Sequence, residues 1–212
     1  MSRGIDLIKN TGILFIARTS TQMVSFFMLP LYTALMTTEQ YGQLDIYSSL
    51  VLILLPLISL QLEQAIFRFL VGQSKEEYIK GIISSAMVAL LMSAAIVGMI
   101  YIVCSFIFRF EYSIPLFFYY GMMLCSTVMY QVCRGFGKNT VYGFATFLIS
   151  FITVSLNIIF VACFHMGVGG VLISTAIAHA IGSLYMVRRT KVFHYFEIGA
   201  VSVEQIKELL VY

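Results

Sequence analysis

The sequence has 212 residues, of which 60% are hydrophobic and only 11% are charged, and its mean hydropathy is +0.93. Soluble domains contain about 25% charged and about 45–50% apolar residues, so this composition excludes an ordinary soluble protein and indicates an integral membrane protein. The formal net charge of +3 does not point to nucleic acid, because most of the basic residues are needed to set the orientation of the membrane spans.

Six stretches are long and apolar enough to cross a bilayer, since about 20 helical residues span the hydrocarbon layer. They cover residues 11–35, 45–67, 81–108, 114–133, 141–164 and 170–187. The stretches are continuously apolar, as in LVLILLPLISL, whereas the strands of a membrane β-barrel alternate polar and apolar residues. The sequence therefore predicts an all-α integral membrane protein with six transmembrane helices within residues 1–190.

Basic residues are distributed very unevenly between the two sides of these spans. Cytoplasmic loops are enriched in Lys and Arg. If the N-terminus is cytoplasmic, only Arg109 lies on the far side. The other basic residues then lie at or near the cytoplasmic side: Arg3, Lys9, Arg18, Arg68, Lys75, Lys80, Arg134, Lys138, Arg188, Arg189, Lys191 and Lys207. The sequence therefore predicts that both the N-terminus and the C-terminus are cytoplasmic.

Residues 191–212 differ in character from the spans, because they are charged and amphipathic. Ile206, Leu209 and Leu210 recur at helical spacing, and Ser202 precedes Gln205 by three residues, as in a capping box. The sequence predicts a cytoplasmic amphipathic connector, which we expect to lead to a second lobe.

The first span carries polar side chains on one helix face. Arg18, Thr21, Gln22 and Ser25 are spaced i, i+3, i+4 and i+7. A charge at mid-membrane costs about 2.5–3.5 kcal/mol, so such residues usually face a protein interior or a wet cavity. The alternative is that Arg18, about 10 Å from the start of the span, extends its side chain to the interface. Gln22 and Ser25 lie too deep for that, which favours a cavity.

The second span also has a polar side, which ends in two carboxylates. Its members are Asp45, Ser48, Ser49, Pro56, Ser59 and Glu63. Asp45 and Glu63 are separated by about 25 Å of helix, so they could serve a cavity or simply mark the two interfaces. Glu63 and Arg68 could pair across a vestibule or be solvated separately.

The fifth span has a third polar face, and for this face two interpretations compete. Thr146, Ser150, Thr153 and Asn157 share one side of the helix. Small polar residues line cavities, but they also join packed membrane helices. In the sixth span, His179 is more typical of a packed, hydrogen-bonded residue than of a proton relay. Together, the three faces favour a shared aqueous cavity.

Motifs for catalysis or for a bound metal or cofactor do not occur in the sequence. It contains no H-E-x-x-H, G-x-S-x-G or phosphate-loop pattern. Cys104, Cys125, Cys133 and Cys163 lie in apolar stretches without a C-x-x-C pair. The sequence therefore predicts neither an enzyme nor a resident cofactor or metal.

Four segments together resemble the amino-terminal half of a known transporter family. They are PLYTALMTTEQYGQLDIYSSL, QLEQAIFRFL, CRGFGKNTVYG and GVGGVLISTAIAHAIGSLY. Their order and spacing resemble polysaccharide flippases of the Wzx type. These flippases belong to the superfamily of multidrug, oligosaccharidyl-lipid and polysaccharide exporters, which includes MATE-like transporters. The resemblance extends over the whole chain.

The resemblance implies one six-helix lobe of a two-lobe transporter in the bacterial cytoplasmic membrane. The expected substrate is an oligosaccharide linked to undecaprenyl pyrophosphate, moved by alternating access. Arg18 and Arg68 would bind the pyrophosphate, with Gln22, Ser25 and Asn157 beside them, and Asp45 or Glu63 would couple transport to an ion. Family members are roughly twice as long, which implies an amino-terminal half that works with a missing C-terminal lobe or a second copy.

Three other functions remain open at this point. A multidrug or cation antiporter of the same superfamily would need an acid deep within a span, and Asp45 and Glu63 lie near predicted span ends. A membrane-embedded enzyme acting on lipid-linked sugars would need converging acids or a metal motif. A membrane scaffold without transport activity would not need the polar faces.

The predicted orientation can be tested with single cysteines in a chain whose native cysteines have been replaced. A cysteine at Gln73 should react with a membrane-impermeant maleimide only after the cells are broken, because position 73 lies in a predicted cytoplasmic loop. A cysteine at Arg109, in a predicted outer loop, is the control and should react in intact cells. Labelling at position 73 from outside would contradict the orientation.

Overall fold

The computed structural model describes the backbone of residues 2–109 and 111–211, and the side chains of this range except for residues 2–10, 14, 16, 17, 23, 25 and 108. The described residues form helices and connecting turns only. The α-helices are α1 Ser2–Leu35, α2 Thr38–Ser59, α3 Leu62–Leu70, α4 Glu76–Phe108, α5 Ser113–Gly135, α6 Asn139–Asn157, α7 Gly167–Thr190 and α8 Val203–Val211. A π-helix, Ile158–Cys163, extends α6, and 3-10 turns at Val192–Tyr195 and Ile198–Ala200 precede α8.

Six of these helices are long and apolar enough to cross a membrane. They are α1, α2, α4, α5, α6 with its π-helical extension, and α7. The prediction of an all-α membrane protein with six spans is confirmed. Successive membrane-crossing helices run in opposite directions. The N-terminus of α1 and the C-termini of α5 and α7 therefore lie at the same end of the bundle. The short helices α3 and α8 lie at this end too. This end carries most of the basic residues and is called the basic end below.

The predicted second span, residues 45–67, is wrong at both of its boundaries. The helix begins at Thr38 because Thr37 and Gln40 form a capping box. The Gln40 N–H donates to Thr37 Oγ1 and the Thr37 N–H donates to Gln40 Oε1, each over 3.2 Å. At the other boundary, α2 ends at Ser59 and α3 is a separate short helix. Asp45 and Glu63 therefore do not share one continuous helix face.

The break between α2 and α3 consists of two successive left-handed residues. Leu60 and Gln61 have φ values of 51° and 57°, which are uncommon for residues other than glycine. Backbone groups freed within a bilayer must find partners in the protein. The Leu60 N–H donates to the Pro56 carbonyl, and the Ser93 hydroxyl of α4 donates to the Ile58 carbonyl. The side chain of Ser93 in α4 thus stabilises the C-terminal end of α2.

The centre of the bundle is formed by α5, α6 and α7, and α1 packs along the outside of α6. One apolar core lies at the basic end and includes Ile66, Ile82 and Met186; a second lies at the opposite end and includes Val51 and Val168. Helices α6 and α7 approach each other very closely at Gly182, where a Cβ atom would overlap with the side chain of Ile149. Small residues permit such close approach in membrane bundles.

The connector after α7 is held against α4 by two adjacent serines. Ser84 Oγ accepts from the Glu197 N–H over 2.9 Å, and Ser85 Oγ accepts from the Ser202 N–H over 3.0 Å. Ser85 Oγ also donates to Gln205 Oε1 over 3.2 Å. The predicted capping box between Ser202 and Gln205 does not form, because Ser85 bonds both of its members. Residues Val203–Val211 of the connector form α8, in which Leu209 is buried.

Replacing Gly182 by Ala should destabilise the bundle, because the new methyl group meets Ile149 in a packed core. Overpacking of this kind costs about 1–3 kcal/mol, which should lower the thermal midpoint of the purified protein by several degrees. Gly121→Ala is the matched control, since a Cβ there has no neighbour within 4 Å. Adding Ile149→Ala should restore much of the loss. Equal midpoints for Gly182→Ala and Gly121→Ala would contradict the close packing of α6 and α7.

Candidate functional site

The polar face of α1 lies on the outside of the bundle. Arg18, Thr21 and Gln22 are exposed, while another side of α1, which includes Ile13, packs against α6. The Thr21 hydroxyl donates to the carbonyl of Arg18 over 2.7 Å, so its hydrogen is already used within the helix. The side chain of Ser25, the fourth predicted member, lies outside the described residues. The face therefore presents a guanidinium and a carboxamide to whatever surrounds this bundle.

The two predicted carboxylates lie in different environments. Asp45 of α2 is exposed, whereas Glu63 in the first turn of α3 is 3% exposed. One carboxylate oxygen of Glu63, Oε2, has no hydrogen-bond partner among the described residues. The partial positive charge at the N-terminus of α3 favours a negative charge at this position. Arg68, near the other end of α3, is exposed, so the two residues form no buried ion pair.

The polar face of α6 points into the bundle, and the packing interpretation holds for it. Thr146, Ser150, Thr153 and Asn157 are all less than 8% exposed. Thr146, for example, donates its hydroxyl to the carbonyl of Tyr142 over 2.9 Å. The polar faces of α1 and α6 do not meet within these six helices, because the face of α1 points outward and that of α6 points inward.

Asn157 is the most unusual residue of the α6 face. Its side chain is fully buried, and neither its Nδ2 nor its Oδ1 atom has a hydrogen-bond partner in the described part of the chain. The π-helix Ile158–Cys163 begins directly after it, and such segments are frequent at functional sites. A buried amide without partners costs about 1–3 kcal/mol. Asn157 is not accessible from outside the protein in this conformation, so a binding role would require α6 to part from its neighbours.

His179 lies between α7 and α5. Its Nδ1 atom is 2.6 Å from the hydroxyl oxygen of Ser126, which in turn lies 2.9 Å from the carbonyl of Met123. The hydroxyl can donate to the carbonyl and accept from the imidazole. The expectation of a packed, hydrogen-bonded histidine is confirmed.

Among the cavities in the structure are two that deserve comparison with the sequence, which did not predict them. One is an apolar cleft of about 380 Å³ between α2, α4 and α5, with Gly98 and Gly121 among its lining residues. The other is a polar pocket of about 460 Å³ at the basic end, lined by Arg134 and Lys138. The sequence does contain a pattern that indicates the polar pocket, because the stretch RGFGK places two cations around glycines in a turn. From the sequence alone, however, Arg134 and Lys138 indicate only which side of the spans is cytoplasmic.

Comparison with known protein families assigns the chain to one of them. A family model described as polysaccharide biosynthesis protein matches residues 7–212. The chain belongs to the polysaccharide biosynthesis protein family. No curated protein and no solved structure matches it significantly. Family membership and the six membrane-capable helices together make the chain a multi-pass membrane protein of polysaccharide biosynthesis.

Proposed function

We propose that this chain is one lobe of a flippase that moves an oligosaccharide linked to undecaprenyl pyrophosphate across the bacterial cytoplasmic membrane. The observation that carries the proposal is the cationic face of α1, which is exposed on the outside of a membrane bundle of the polysaccharide biosynthesis family. Both chain ends would be cytoplasmic. Family and fold favour a polysaccharide transporter over an enzyme that acts on lipid-linked sugars, and we propose the Wzx type.

An exposed arginine on a membrane-crossing helix needs a polar environment. Arg18 and Gln22 would lie against lipid if the six helices stood alone, and a charge in hydrocarbon is costly. A second lobe or a second copy facing α1 would enclose these side chains in a central cavity. Transporters built from two repeats bind substrate at such an interface and rock one repeat against the other.

The chemistry of the α1 face suits a pyrophosphate. The planar fork of a guanidinium makes paired, charge-assisted hydrogen bonds to phosphate oxygens. Arg18 would hold the pyrophosphate, with Gln22 and Ser25 contacting the sugar. The exposed Arg68 of α3 would attract the headgroup at the basic end, and Asn157 would join the site only when α6 moves. The isoprenoid tail would stay in the bilayer.

A second candidate function is a cation antiporter of the same superfamily, and the structure gives it one specific support. Glu63 is buried, and one of its carboxylate oxygens has no hydrogen-bond partner among the described residues. Buried acids of this type serve cation and proton exchange in membrane transporters. In a flippase, Glu63 or Asp45 would couple the transport of the saccharide to an ion. Proteoliposomes that carry out cation exchange without lipid-linked saccharide transport would favour the antiporter.

Replacing Arg18 by Ala in cells that produce the active transporter should make lipid-linked repeat units accumulate on the inner leaflet. Loss of a charged hydrogen bond to the pyrophosphate should reduce export about tenfold or more. Arg188→Ala removes another exposed arginine, at the end of α7, and should leave export unchanged. Arg18→Lys keeps the charge without the fork and should fall between the two. Normal export by Arg18→Ala would remove Arg18 from the mechanism.

A further inference from the structure

The polar pocket at the basic end lies where three membrane-crossing helices finish or begin. It is formed by the segment after α3, the turn between α5 and α6, and the end of α7. The membrane-capable parts of α5 and α7 end at Gly135 and Thr190, and both residues line the pocket. With α5 and α7 across a bilayer, the pocket would lie near the level where hydrocarbon gives way to lipid headgroups.

Two cations face this pocket without a counter-ion. Arg134 and Lys138 line it, and none of its lining residues, all of which belong to the described part of the chain, is acidic. Two of the carboxylates nearby are used elsewhere, since Glu76 and Glu197 lie 3.4 and 3.6 Å from the ammonium group of Lys80. Like charges repel when they converge, so an anion in the pocket would relieve this repulsion.

The fold holds both cations in place. The guanidinium of Arg134 lies 4.5 Å from the ring centroid of Phe67 and donates to Gln131 Oε1 over 3.0 Å. The ammonium of Lys138 donates to the carbonyls of Arg189 and Thr190 over 3.0 and 3.5 Å. An arginine has five N–H donors and a lysine has three, so each residue retains donors for a ligand.

Glycines bring the turn that carries these cations close to α3. Gly137 has a φ of 68°, which favours glycine. A Cβ atom on Gly135 would lie 2.8 Å from the Cβ atom of Leu70, so a larger residue would push the turn away from α3. The spacing R-G-F-G-K thus places Arg134 and Lys138 on either side of a turn that fits against α3.

We propose that this basic pocket binds the phosphate of an anionic phospholipid from the surrounding membrane. Its wall combines cations with apolar side chains such as Leu70, Ile79 and Phe136, which suits the headgroup and the adjoining glycerol of an amphiphile. Basic pockets between transmembrane helices at the membrane surface commonly bind anionic headgroups. The bound lipid would join α3, the α5–α6 turn and α7. This site is separate from the α1 face and does not depend on the proposed transport activity.

The first test compares phospholipids retained by the purified full chain in native mass spectrometry. Phosphatidylglycerol should be retained in preference to phosphatidylcholine, and Arg134→Gln should reduce its retention about tenfold, as expected for loss of a charged hydrogen bond. Arg188→Gln removes one exposed charge at the same end and should retain the lipid as the unaltered chain does. Equal retention of the two phospholipids, or equal retention by both variants, would overturn the proposal.

A second pair of variants tests the pocket without altering a buried contact. Gln73 lines the pocket and is exposed, while its neighbour Ser74 is exposed outside the lining. Gln73→Glu should lower retention of phosphatidylglycerol severalfold because a carboxylate then faces the two cations, whereas Ser74→Glu should not. Equal effects of the two would contradict a defined site. Complete displacement of the lipid by millimolar inorganic phosphate would show a free-phosphate site and overturn the phospholipid assignment.

Discussion

A polar backbone group inside a bilayer must find its partner within the protein, and much of this structure follows from that constraint. The break after α2 occurs where the Leu60 N–H can reach Pro56 and where Ser93 of α4 can satisfy Ile58. Ser84 and Ser85 apply the same chemistry at the basic end, where they bond the backbone of the connector. Hydroxyl groups of α4 thus bond the backbone of other segments at two places along the helix, through Ser84 and Ser85 near the basic end and through Ser93 about two to three turns further on.

The same constraint explains why a polar face is not by itself a binding site. Many hydroxyls in the spans donate to a carbonyl three or four residues earlier, as Thr146 and Ser174 do, and these side chains can then pack in an apolar core. Arg18 and Gln22 differ, because the described part of the chain leaves them exposed. Packing therefore does not explain the outward face of α1, nor the buried groups of Glu63, Asn157 and Ser183 that have no hydrogen-bond partner among the described residues.

Hydropathy was sufficient to predict six membrane-spanning helices, since each span is a long, mostly apolar run of about the length that crosses a bilayer. It could not predict the break at Leu60 and Gln61, because neither residue is a glycine and the left-handed turn depends on Ser93, which lies on another helix. Periodicity placed the polar residues of α6 on one face but could not tell which neighbour that face would meet. The basic pocket was missed because Lys138 meets the end of α7 only in the folded bundle.

The central claim is that the face of α1 borders a water-filled cavity, and cysteine accessibility in native membranes tests it most directly. Gln22 and Phe27 are both exposed but point in different directions from the helix axis. In a chain without its native cysteines, Gln22→Cys should react with a water-soluble maleimide in broken cells, and Phe27→Cys should remain unlabelled in lipid. Protection of both positions would place the polar face of α1 against hydrocarbon and contradict the cavity.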